Sequence, residues 1–208
     1  MMDLMSMMTT GAFDNICFEH LEYYSLDVLC RLLKEHGLRA VDVSYNDTNG
    51  GSVRVLVKHA DTYIAEPSVA QALRTEAEYL AEHPVEELGT RIPEIIAETQ
   101  RMVAEVSQKG PVYVLGASTK GNTLLQMCGL THKEIGKALE VNPDKFGLRT
   151  VGTNIPIVPE AEGLADGPAG LLVLPWHFAK GLTAKMQPYL ERGGCLIFPL
   201  PTPAKVSL

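Results

Sequence analysis

Three groups of residues along this chain have the types and spacing to do chemistry. The first is Phe13-Asp-Asn-Ile-Cys-Phe-Glu-His20-Leu-Glu-Tyr-Tyr24. Its Glu19-His20 pair, with tyrosines following, supplies groups suited to moving a proton near neutral pH. The alternative is a structural cluster in which Glu22, Tyr23 and Tyr24 support or cap. The second group is Gly116-Ala-Ser-Thr-Lys-Gly121, which lies between an apolar run and an amphipathic one. A strand running into such a loop aims backbone N–H groups at one point. With the positive end of the following helix and Lys120, these make an anion cradle of Gly116, Ser118, Thr119, Lys120, Gly121 and Asn122. The bland reading is a tight strand-to-helix turn with a surface lysine. The third group is Leu172-Val-Leu-Pro-Trp-His177 at the end of a strand. There Trp176 is placed to stack on a base or sugar and His177 to bond a phosphate or hydroxyl. Equally, Trp176 is core and His177 starts a helix.

The loop is neither of the two familiar phosphate binders. Asn122 stands where a Walker lysine would, and no GxGxxG is present. Glu140 nevertheless ends the next strand roughly 20 residues on, where a carboxylate can bind ribose hydroxyls in a Rossmann-type crevice.

The elements that must position these groups follow from periodicity. Ser25 caps an expected helix over 26–36, with apolar positions 26, 29, 32 and 33 on one face and Gly37 as its stop. Strands over 38–45 and 52–58 are joined by the polar Asn46-Asp-Thr-Asn-Gly-Gly51 turn into a hairpin, so 13–59 reads as the tail of an α/β domain. Helices are expected over 67–82 and 85–108, the second kinked or restarted at Pro93. Beyond Pro111 the pattern is strand 112–116, helix 121–129, strand 137–141, a Pro/Gly-rich segment over 142–170, strand 170–174, helix 179–191 and strand 195–199. The fold class is therefore α/β: a Rossmann-like, mainly parallel sheet flanked by helices, preceded by a helix and hairpin. The expected organisation is 1–60, a helical connector over 61–109, and 110–208.

Composition narrows the partners. The chain has 208 residues, 46% of them hydrophobic, and a net charge of -7. That acidity, without a basic run, argues against nucleic acid and against a membrane surface. No apolar stretch approaches the roughly 20 residues that span a bilayer. The opening MMDLMSMMTT lacks the features of a signal peptide and reads like the middle of a protein, so a cytoplasmic location is expected. The four cysteines, Cys17, Cys30, Cys128 and Cys195, lie scattered in apolar contexts and form no metal-ligand spacing. They are expected as small buried hydrophobes. No metal site is expected in this chain.

Taken together, the segments resemble the C-terminal part of the SAM-dependent sugar C-methyltransferases that act on nucleotide-linked keto-sugars. Phe13 to Tyr23 is similar to the family's FDxIYHEHxxY-like stretch and Asn49-Gly-Gly-Ser-Val-Arg54 to its HGGSxR hairpin. Gly116 to Leu125 matches GAxxKGNTLL. Glu140-Val-Asn142-Pro-Asp-Lys145, Gly152-Thr-Asn-Ile-Pro-Ile157 and Leu174-Pro-Trp-His177 follow in the family's order. The resemblance implies that an N-terminal zinc module and a class I methyltransferase domain precede a C-terminal Rossmann-like domain. It implies His20 as the base that removes the proton alpha to the sugar ketone, with Glu19 orienting it or touching substrate. The enolate would then attack the methyl of S-adenosylmethionine. It also implies nucleotide-sugar binding on the C-terminal domain, at the 116–122 cradle with Glu140, Asn142, Lys145, Trp176 and His177. Two positions depart from the pattern. The family tyrosine is Cys17 here and the first histidine is Phe18, so a phenol hydrogen bond and a polar side chain are lost from the implied sugar pocket.

On this resemblance the 208 residues start inside the methyltransferase domain and carry no SAM-binding glycine motif. The expectation is a truncated, C-terminal portion that binds a nucleotide-sugar and does not transfer methyl groups alone. The rivals are a stand-alone module partnering a separate SAM-binding subunit and, opposed by the missing GxGxxG, a nicotinamide-dependent oxidoreductase. A hairpin without sheet neighbours also predicts homodimerisation through 1–60.

Overall fold

The computed structural model describes residues 3–208, which divide into two compact units. The first comprises the described residues up to Ala12 together with Glu19–Thr90; the second comprises Phe13–Phe18 and Arg91–Leu208. This partition assigns the connector helices mainly one to each unit, and it moves a short early segment into the second.

The first unit opens with α1 (Leu4–Thr10), a helix that the sequence pattern did not announce, closed by Gly11 in the left-handed conformation. Next comes α2 (Leu26–Glu35), whose N-cap Ser25 accepts the Val28 N–H at 3.2 Å, as its sequence signature predicts. The hairpin consists of β1 (Leu38–Asn46) and β2 (Ser52–His59), antiparallel, with a bulge between Ala40 and Asp42. Its connection needs three successive residues at positive φ (Asn49, Gly50 and Gly51), which the Asn-Gly-Gly sequence adopts at little cost. α3 (Pro67–Glu82) lies against β1. The core gathers Leu26, Ala40, Val43, Val53, Val69 and Ala72, with Cys30 and Leu33 of α2 beside them. Leu32, expected on that face, is instead exposed.

α4 (Glu87–Ser107) runs on through Pro93, with neither break nor restart. The second unit then builds a six-stranded sheet from β3 (Val112–Leu115), β4 (Ala138–Glu140), β5 (Ile157–Pro159), β6 (Gly170–Val173), β7 (Cys195–Phe198) and β8 (Ala204–Val206). The order is β5-β4-β3-β6-β7-β8, parallel throughout except for β8, which runs antiparallel on the β7 edge. β3, β4 and β6 are buried at every position, which is why β3 and β6 read as unbroken apolar runs rather than alternating ones, while β4 ends on the buried Glu140.

Several elements here differ from expectation. The 142–170 segment is not one long loop: it contains β5 and α6 (Glu160–Ala165). Gly163 lets α6 close onto β4, since a Cβ there would stand 2.7 Å from the Leu139 side chain. The helix expected over 121–129 is α5 (Thr119–Met127), capped by Ser118 and starting two residues earlier. The helix expected over 179–191 is two, α7 (Ala179–Lys185) and α8 (Gln187–Leu190), the second beginning just ahead of Pro188.

Candidate functional site at the switch point of the parallel sheet

β3 lies in the middle of the sheet. From it the chain steps outward through β4 and β5, then crosses to β6 and builds the other half. The loops after β3 and β6 therefore diverge at the carboxyl edge, where open α/β sheets bind ligands. These are the loops that carry Gly116–Ser118 and Pro175–His177. They meet closely: a Cβ on Gly116, whose φ is +88°, would lie 3.1 Å from Pro175 Cδ, and one on Gly121 2.8 Å from Leu174 Cδ1. A cleft of about 260 Å³ opens beside them, with Gly116, Ser118, Glu140, Glu160, Pro175 and Lys185 in its walls.

The cradle differs from a ring of free amides. The Gly116 N–H donates to Leu139 O at 2.7 Å and the Ala117 N–H to Glu140 Oε2 at 3.2 Å. The Gly121 N–H goes to Ser118 Oγ at 3.1 Å and the Asn122 N–H to Ser118 O at 2.9 Å. The positive end of α5 and the charge of Lys120 in its first turn still favour an anion here. Lys120 is central in charge terms, because it acts on both Asp14 and His177. Burial, with help from the Lys120 charge, pushes the His177 imidazole below its ordinary value and keeps it neutral at pH 7. Its Nδ1 and the Oδ1 of Asn122 are buried and meet no hydrogen-bond partner among the described residues.

Glu140 sits where the ribose-binding carboxylate was expected, but its acceptors are engaged by the protein. Oε1 takes the Val141 and Asn142 N–H groups at 2.8 and 3.1 Å; Oε2 takes the Ala117 N–H and the Lys145 ammonium, each at 3.2 Å. A carboxylate offers about four lone-pair sites, so this one is full. Burial alone would push its carboxyl up; the N–H groups and Lys145 outweigh it and hold the carboxyl below the usual range. Lys145 also donates to Ala117 O at 2.8 Å, and the Asn142 side chain caps the Pro143–Lys145 turn through Asp144 N at 3.0 Å. Glu140, Asn142 and Lys145 thus shape the cleft rather than present free groups to it. Trp176, expected as a stacking platform, is buried, and its indole Nε1–H donates to Asp14 Oδ2 at 2.9 Å.

The model of the C-methyltransferase C-terminal domain matches residues 47–201. This chain belongs to that family. It is also 34% identical to the C-methyltransferase NovU of Streptomyces niveus, over 98% of this chain and 50% of that protein. The chain thus spans about half the length of the curated relative it matches.

In this chain, Glu19 and His20 are exposed at the start of an irregular stretch, and the Tyr23 hydroxyl donates to the His20 carbonyl at 3.1 Å. Of the two departing positions, Cys17 is buried and Phe18 is 83% exposed. Asp14, which sequence reasoning passed over, is the best-buried carboxylate among the described residues of the second unit, at 1% exposure. Its place in the Phe-Asp-Asn run was the available signal, but no spacing links it to Trp176. Among the described residues no group of three or more His, Cys, Asp and Glu side chains could hold a metal, and no helix is long and apolar enough to cross a membrane.

Proposed function

We propose that this chain is the substrate-binding portion of a C-methyltransferase acting on a nucleotide-linked keto-sugar. The diphosphate is drawn to Lys120 and the N-terminus of α5, and His20 is the base for the proton alpha to the ketone. The observation that carries this reading is the meeting of the loops after β3 and β6 at the switch point, with the Lys120 charge acting on both Asp14 and His177. A cleft of about 260 Å³ suits one part of such a ligand rather than a whole dinucleotide.

A carbonyl acidifies the neighbouring C–H, but a positioned base is still needed to remove the proton. His20 takes it and leaves an enolate, while Glu19 orients the ring or meets the sugar. S-adenosylmethionine would supply the methyl group. The Rossmann-like unit does not fit that cofactor, because the carboxylate that would hold its ribose is filled by Ala117, Val141, Asn142 and Lys145. The chemistry assigned to this chain therefore stops at the enolate, with no methyl transfer by it alone. The same filled carboxylate counts against a nicotinamide-dependent oxidoreductase.

Calorimetric titration with TDP-linked sugars tests the reading. Binding to the wild type that weakens at least tenfold in Lys120→Ala is expected; no binding to either would overturn it. We propose further a homodimer through residues 1–60, which contain the two-stranded β1–β2 hairpin. A strictly monomeric sedimentation profile at high concentration would refute that.

A further inference from the structure

Phe13–Asn15 form a single 3-10 turn with all three side chains buried, and this turn packs against α5. Residues 13–18 belong to the Rossmann-like unit, although the chain on both sides of them belongs to the other one. What holds the turn is specific. Asp14 Oδ2 accepts the indole N–H of Trp176 at 2.9 Å from 162 residues away, and its Oδ1 faces the Asn15 amide at 3.4 Å. The Ile16 and Cys17 N–H groups close the segment onto Phe13 O and Asn15 O, each at 2.9 Å. A buried carboxylate is costly unless its oxygens are met, and an apolar side chain would fill the same space more cheaply. At 1% exposure Asp14 cannot touch a substrate. Its placement therefore needs another explanation, and the sequence supplies one: Glu19 and His20 follow within six residues, a reach of at most about 20 Å even fully extended.

We propose that Asp14 is a positioning residue: by holding the indole of Trp176 it pins the 13–18 segment to the carboxyl end of β6 and so limits where Glu19 and His20 can go. This inference rests on the reading of His20 as the base. Trp176 is thereby a fastening point rather than a stacking surface, and the switch-point loop is tied to the segment that leads to the proposed base.

The test compares Asp14→Ala and Trp176→Phe, which break the bond, with Asp14→Asn, which keeps an acceptor for the indole. Two measurements are made on the full chain. One is amide hydrogen exchange, together with the indole resonance of the sole tryptophan. The other is uptake of solvent deuterium by a TDP-linked keto-sugar in D₂O, with His20→Ala as control. In Asp14→Ala and Trp176→Phe the Ile16 and Cys17 amides are expected to exchange at least tenfold faster while β3 and β6 stay protected. Deuterium uptake is expected to fall at least tenfold in kcat with KM within threefold, and Asp14→Asn to restore both. Unchanged exchange at Ile16 and Cys17 in both breaking variants overturns the proposal. So does equal loosening of β3 and β6, or a deuterium uptake lost through KM alone. If the wild type and His20→Ala alike take up no deuterium, it is the reading of His20 that fails. Amide exchange then decides by itself whether Asp14 fastens the segment.

Discussion

Lys145 holds Glu140: its ammonium lies 3.2 Å from Glu140 Oε2 and in the same reach donates to Ala117 O. The pair stitches the end of β4 to the loop after β3. It thereby fixes the floor of the cleft and closes the site where a ribose would otherwise bind. Because the folded carboxyl sits below its ordinary value, its contribution to stability is present above the unfolded value near 4.5 and is lost as pH falls through the folded one. Glu140→Gln is expected to cost roughly 2 kcal/mol at pH 7, since an amide cannot accept four donors. The difference from wild type should shrink as the pH approaches 3. Denaturant melts at both pH values check this, and an equal loss at each would refute it.

Asp14 behaves with the opposite sign. Burial pushes its carboxyl above the usual range, against the pull of the Trp176 N–H and the Lys120 charge. The folded state therefore keeps this proton to higher pH than the unfolded chain does. The stability tied to it is fully present below the unfolded value near 3.8 and is lost as pH rises through the folded value. Asp14→Asn removes that loss while keeping an acceptor for the indole. Its stability at pH 7 is expected within about 1 kcal/mol of wild type or above it. A variant destabilised by several times that amount would show that the negative charge itself is needed.

The parts of the fold that were legible in the sequence are those with local causes. Ser25 and Gly37 bound α2, the Asn-Gly-Gly turn forces the hairpin, and the apolar run at 112–115 announces a strand buried on both faces. β5 and α6 were illegible because a three-residue strand that follows Pro156 and ends on Pro159 looks like loop, and only pairing with β4 makes it a strand. β8 hides in the same way behind Pro201 and Pro203. At the site, spacing placed Glu140 correctly at the strand end but said nothing of what would fill it. Lys145 is only five residues further on, yet its role depends on a turn that brings it back. The bond from Trp176 to Asp14 spans 162 residues, and no local pattern encodes such a partner.

In the first unit, Glu76 supplies a cap that Ser25 alone does not. Its carboxylate, 2% exposed, accepts the Leu26 N–H at 2.6 Å and the Asp27 N–H at 2.9 Å at the start of α2. Glu76→Ala leaves two helix-terminal donors without this acceptor, the Leu26 N–H buried and the Asp27 N–H partly so. It is expected to destabilise this unit by about 2–3 kcal/mol. The effect should appear as faster amide exchange in α2 and the hairpin, with β3 and β6 unaffected. Equal loosening of both units would show that Glu76 is not a local cap.

Gly121 offers a way to separate the shape of the site from its charge. It lies in the first turn of α5, buried, and a Cβ there would stand 2.8 Å from Leu174 Cδ1 and 3.1 Å from Leu174 Cβ. Gly121→Ala must therefore push the α5 N-terminus away from the loop after β6, at a cost of about 1–3 kcal/mol for the forced repacking. Lys120 keeps its charge but moves relative to His177. If the two loops bind a nucleotide-sugar only when closed on each other, TDP-sugar affinity should fall in this variant nearly as far as in Lys120→Ala. Gly89→Ala, where an added Cβ meets nothing within 4 Å, serves as the control. Titration of the three variants side by side decides the matter. Wild-type affinity in a folded Gly121→Ala would mean that Lys120 attracts the ligand without the closed loops.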